Sequence, residues 1–111
     1  MRLYLLQRLS ALVMVPLVLG HLAMMIYAVR GGLSAEEILS RTRGSMFWGS
    51  YYGLFVLAAS IHAALGLRAI FSESIRINGT LLNGVIVLIG LISFYLGLQA
   101  VYAVTWAGAA Q

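Results

Sequence analysis

The sequence contains no cysteine, a single proline and few charges of either sign. Without cysteine there is no disulfide, no thiolate-held iron–sulfur cluster, no cysteine zinc site and no thioether attachment of a c-type haem. Any metal must therefore rely on histidine, methionine or oxygen ligands. Charged residues make up 9% of the 111 and hydrophobic residues 62%, where soluble domains average about 25% and 45–50%. With a mean hydropathy of +0.98, a soluble globule is excluded. Acidic residues are scarcer than basic ones: Glu36, Glu37 and Glu73 are the only ones, and none lies inside an apolar run. A proton- or sodium-coupled transporter needs an acid at mid-membrane depth to carry the coupled charge, so that class is also set aside.

What is present is length in apolar runs. The first extends over residues 9–29, interrupted by Ser10, Pro16, Gly20 and His21, and stops at Arg30-Gly31-Gly32. A cleaved signal peptide has an apolar region of only about 7–15 residues before a small-residue cleavage site, so this run is expected to be a retained helix, bent at Pro16 where one backbone hydrogen bond is lost. Further runs begin at Met46 and Leu81. Each crossing takes about 20 mostly apolar residues, and Phe47, Trp48, Tyr51, Tyr52, Tyr102 and Trp106 supply interfacial aromatic belts. The fold class predicted is all-α integral membrane, one domain with transmembrane helices over about 5–29, 46–71 and 81–106. What remains is too short for a catalytic domain.

Ser34-Ala35-Glu36-Glu37 reads as a capping box that opens a short interfacial helix over about 34–43. The second connection carries the turn pair Asn78-Gly79 and permits only a tight antiparallel hairpin. The net charge of +4 comes from seven arginines spread at the ends of apolar segments. That pattern is membrane anchoring; a nucleic-acid partner would require a basic stripe. With the N-terminus inside, Arg2, Arg8, Arg68 and Arg76 lie on the cytoplasmic side against Arg30, Arg41 and Arg43 outside, which favours N-in, C-out. The expected location is an energy-transducing membrane such as a bacterial inner membrane.

Within the spans, the ionisable residues away from the ends are His21 and His62. A polar group without a partner in hydrocarbon costs several kcal/mol, so each imidazole needs a hydrogen bond or a metal. Two such residues in a chain with no other polar core point to ligation. Around His62, Ala58, Ala59 and Gly66 clear one helix face, as a haem lying beside its ligand requires. Close helix packing selects small residues too, and Gly49-x-x-x-Gly53 suits that role better. His21 has Leu17, Val18, Met24 and Met25 on its own face, so clearance there is poorer. Met24 and Met25 are rival ligands. By helix rise, His21 and His62 differ by about 10 Å in depth, too far to share one iron easily. Each then needs a counterpart on another polypeptide.

The segment His62-Ala-Ala-Leu-Gly66-Leu-Arg68, followed by Glu73, resembles the H-x-x-x-G-x-R pattern of membrane-anchor subunits of succinate dehydrogenase and fumarate reductase. Arg8-Leu-Ser10-Ala11 is similar to the quinone-site end of the same small anchors, and the three-helix layout matches over essentially the whole chain. The resemblance implies that His62 ligates haem b, that Arg68 approaches the haem propionates or the quinone, and that Arg8 and Ser10 help bind quinone. It departs from the pattern at Ala69, where a His often follows the Arg, at Glu73 in place of Asp, and at Gln7, where many relatives have His. It also implies a flavoprotein subunit, an iron–sulfur subunit and a second anchor chain, identical or sibling. His21 and His62 would then each serve one of two haems at different depths. Two other classes fit the residues: a chlorophyll-binding light-harvesting polypeptide, and a cofactor-free structural subunit of a respiratory complex.

Overall fold

The computed structural model describes residues 2–106. Four helices follow in order, α1 (Arg2–Arg30), α2 (Ala35–Thr42), α3 (Met46–Ser74) and α4 (Gly79–Thr105). Helices α1, α3 and α4 are each long and apolar enough to cross a membrane. At about 1.5 Å per residue they reach roughly 40 Å, beyond the hydrocarbon core of about 30 Å, so their ends extend into the headgroup layers. Each runs a few residues past the predicted limits at the face opposite α2, where Arg2 and Ser74 join the helices. Helix α1 continues unbroken through Pro16. The hairpin between α3 and α4 is tight, as predicted, but Gly79 does not form its turn. Asn78 instead caps α4, its Oδ1 accepting from the Thr80 amide at 2.9 Å, and Gly79 is the first helical residue.

Helix α3 is central, packing against α1 on one side and α4 on the other. On α4 the buried residues Leu82, Ile86, Val101 and Thr105 recur at intervals that keep them on one helical stripe. Glycine lets the backbones approach along this seam. A Cβ on Gly97 would overlap Val56, and one on Gly90 would stand 3.4 Å from Ala64 Cβ. Of the pair assigned to packing by spacing, Gly49 lies against Thr105 and Trp106, whereas Gly53 has nothing within 4 Å.

Helix α2 has the predicted capping box: Ser34 Oγ accepts from the Glu37 amide at 3.2 Å and Glu37 Oε2 accepts from the Ser34 amide at 2.7 Å. Its far end is tied to α4. Thr42 Oγ1 donates to the Val104 carbonyl at 2.6 Å, and the Gly44 amide donates to the Thr105 carbonyl. These are carbonyls that the end of a helix leaves without intrahelical donors, so α2 and α4 complete one another. Gly44 adopts φ +69°, which favours glycine and turns the chain from α2 into α3.

Little of this apolar surface is hidden by the chain itself. In each spanning helix only 11% of the most apolar window is buried, and Leu12, Val29, Phe47 and Leu91 are well exposed. Apolar area on that scale requires lipid or other chains around it.

Candidate cofactor site

The two histidines occupy different levels and different surroundings. His62 lies opposite Ser10 of α1, whereas His21 packs against Tyr52 and Phe55 of α3. From Phe55 to His62 is seven positions on α3, or about 10 Å of helix rise. The geometry keeps the imidazoles apart, as the helix arithmetic predicts.

Around His62 the chain builds an oriented imidazole. Ser10 is buried, and its hydroxyl donates to the Gln7 carbonyl at 2.8 Å. With its proton used there, Ser10 Oγ offers a lone pair to His62 Nδ1 at 3.4 Å, a long contact that favours a proton on Nδ1. Nε2 is then the nitrogen with a free lone pair. His62 opens onto a groove along α1. Two adjoining sections, each of about 310 Å³, share Ala11, Val15 and His62; one continues to Gln7 and Arg8, the other to Met14 and Leu19.

The small-residue patch is only partly open. Ala58 is buried, Ala59 is half-buried, and the Gln7 amide lies over Gly66, with Nε2 3.4 Å from where a Cβ would stand. The space beside His62 is therefore bounded by α1 on its Gly66 side. Gln7 Oε1 is buried without a hydrogen-bond partner among the described residues. Arg8 is exposed and turned toward Tyr4, its guanidinium 5.3 Å from the ring centroid and in contact with the hydroxyl. Arg68 is held elsewhere, its Nε donating to Asn83 Oδ1 of α4 at 2.8 Å. The structure thus brings Arg8, Ser10, Gly66 and His62 together with Gln7, and leaves Arg68 on the α4 side of α3.

His21 stands beneath α2. Its ring meets Tyr52 edge-on at 5.9 Å and Phe55 at 5.6 Å, and Trp48 stacks on Tyr52 at 5.7 Å. One turn earlier on α1, the Leu17 carbonyl accepts a hydrogen bond from the Tyr51 hydroxyl at 2.6 Å. A Cβ on Gly20 would overlap that hydroxyl, so glycine there is what admits Tyr51. Reading Tyr51 only as an interfacial aromatic misses this tie; the sole sequence signal is Gly20 beside His21. Among the described residues no group of three His, Asp or Glu side chains is placed to enclose a metal ion.

A family model described as the transmembrane subunit of succinate dehydrogenase/fumarate reductase matches residues 1–98. The chain belongs to that family. The match takes in α1, α2 and α3 whole and most of α4, so the Ser10–His62 contact lies within it. With three apolar helices and this membership, the transmembrane subunit is an integral membrane protein. No curated protein and no solved structure matches it.

Proposed function

We propose that this transmembrane subunit carries a b-type haem on His62 and connects membrane quinone with the flavoprotein and iron–sulfur subunits of a succinate dehydrogenase/fumarate reductase-type complex. The observation that supports it most is the Ser10–His62 contact, which leaves Nε2 as the free nitrogen beside a groove in a spanning helix. Ligating histidines commonly donate their other ring N–H to a fixed acceptor, which sets the tautomer and ring orientation. The residues present therefore fit the group. Bound there, the haem supplies reversible one-electron transfer.

The remaining work falls to the chain's own residues. Ser10 orients His62, since its hydroxyl proton is already committed to Gln7. Arg8, in the same groove as His62, offers guanidinium donors and positive charge to a quinone carbonyl. His62 would hold the group from this chain, and any further ligand would have to come from another anchor chain, identical or sibling, because His21 lies at another level.

The test is the reduced-minus-oxidised spectrum of the assembled complex. His62→Ala should remove the b-type band while His21→Leu keeps it. An unchanged band in His62→Ala would refute the assignment.

A further inference from the structure

Helix α4 carries a second stripe, turned away from the one that packs on α3. Gly84, Leu88, Leu91, Tyr95, Gln99 and Tyr102 succeed one another at intervals of three or four residues, which sets them on one outward face. Leu88, Leu91, Tyr95 and Tyr102 are each at least 57% exposed there. A polar pair inside the span distinguishes this face from the other bare apolar surface: Gln99 Nε2 donates to the Tyr95 hydroxyl at 2.9 Å. Gln99 stands six residues and Tyr95 ten before Thr105, where α4 ends. At about 1.5 Å per residue, with about 5 Å of helix beyond the hydrocarbon at each end, both residues start within the hydrocarbon.

We infer that the outward stripe of α4 is an interface between two copies of this chain, joined by reciprocal hydrogen bonds between their Gln99 amides. The inference stands on the α4 face alone and does not depend on the haem proposed above.

Three observations select a second copy as the partner. First, the pair is only partly satisfied. A Gln amide has two N–H donors and a carbonyl acceptor, and a Tyr hydroxyl has one donor; the Tyr95 contact uses one N–H, and among the described residues no other hydrogen bond reaches either side chain. Lipid tails offer a partner to none of the remaining groups. Second, what remains on Gln99 is self-complementary, one donor and one acceptor. Copies inserted in the same sense and related by a two-fold axis along the membrane normal bring each residue to its counterpart at the same depth. Each amide then donates its spare N–H to the other's Oε1, whereas a different chain would need a polar side chain of its own at that level. Third, intervals of three and four are those of two parallel helices packed side by side. Gly84 lies on this face with nothing within 4 Å, unlike Gly90 and Gly97, which meet α3, and a bare Cα there lets a facing helix come close. Helix α3 separates the stripe from α1, so this is not the face that a second anchor chain would use beside His62. The contact joins two assemblies side by side.

The chain has no cysteine, so a single introduced thiol reports on its own position. Leu88→Cys and Leu91→Cys place it on the stripe, and Leu96→Cys, on an equally exposed residue next to Tyr95 but off the stripe, serves as control. Each variant is oxidised in its native membrane. A disulfide needs Cα atoms about 4.4–6.8 Å apart, so Leu88→Cys or Leu91→Cys should give a product of twice 12.0 kDa and Leu96→Cys should not. Gln99→Leu added to the cross-linking variant should lower the yield about fivefold. Gly84→Ile, whose Cβ meets nothing within the chain, should lower it as well by holding the helices apart, and stands if Gln99→Leu inserts poorly. No product at either stripe position, a product with a different protein, equal yields on and off the stripe, or a yield that neither Gln99→Leu nor Gly84→Ile changes would overturn the inference. The two readings fail separately: His62→Ala should abolish the b-type band and leave the cross-link intact.

Discussion

The two histidines sit in helices of equal length, 29 residues each, yet the chain treats them in opposite ways. His62 is oriented by the chain, through Ser10, and left facing a groove. His21 is surrounded by aromatic rings under a fastened roof, with no protein partner for its nitrogens among the described residues. One imidazole faces a hydroxyl across the helix contact; the other faces aromatic rings. A histidine in a membrane helix is thus not one kind of site, and the difference comes from what the neighbouring helix presents: a small hydroxyl in one case, a run of aromatics in the other.

The largest effect expected, after loss of His62 itself, is at Ser10. Ser10→Ala removes the acceptor that faces Nδ1, and loss of such an orienting partner typically costs about 10–100-fold in ligand affinity. Weaker haem retention and a shifted midpoint potential in redox titration are expected. Unchanged retention and potential would show that His62 is oriented by something other than Ser10.

A smaller effect separates the two regions by their glycines. Gly20→Ala drives Tyr51 from the Leu17 carbonyl, because the new Cβ overlaps the hydroxyl. Overpacking of this kind costs about 1–3 kcal/mol, which outweighs the roughly 1 kcal/mol of helix propensity gained over glycine. Gly66→Ala meets only the end of the Gln7 side chain at 3.4 Å, so its cost should stay near zero. Thermal unfolding of the assembled complex should show Gly20→Ala below Gly66→Ala. Equal midpoints would mean that both helix contacts are equally yielding and erase the contrast.

The smallest effect concerns the roof. The Ser34 backbone amide, and then its hydroxyl, hold the exposed Glu37 carboxyl below its ordinary value of 4.5. A depressed carboxyl adds stability above its unfolded pKa and loses it as pH falls through the folded value. Protection of the α2 amides, taken as exchange relative to the unstructured rate at the same pH, should therefore be unchanged from neutral pH to about 5 and fall slightly near pH 3, with no change in α1 beside Ser10. Protection in α2 that is already lower at neutral pH than at pH 5 would contradict the capping box as its source of order.

Much of the architecture was legible because membrane helices and caps leave local signals. Run length marked three spans, and Ser34 with Glu37 three positions later marked α2. The Asn78-Gly79 pair suggested a turn because both residues favour one, but Asn78 is also a good N-cap, and the cap prevailed. Gly49 and Gly53 carry the same motif yet only Gly49 is packed, since small size states that a surface is smooth and not what lies against it. The unreadable parts are the long-range pairs. Ser10 meets His62 across 52 positions and Thr42 meets Val104 across 62, and no local pattern encodes which faces of two apolar helices will touch. The pattern of H-x-x-x-G-x-R pointed to His62, but could not show that Arg68 turns to Asn83.

The fastening of α2 also sets an order in time. Its partners, Val104 and Thr105, are the last turn of α4, so a ribosome has delivered both of the first two spans, and most of the third, before the roof has anything to hold. Until then the region around His21 lacks its α4 wall, which Gly97, Ala100 and Val101 supply only when the third span is in place. The surroundings of His21 are therefore tied to completion of α4, and a nascent subunit stalled before it leaves α2 unfastened.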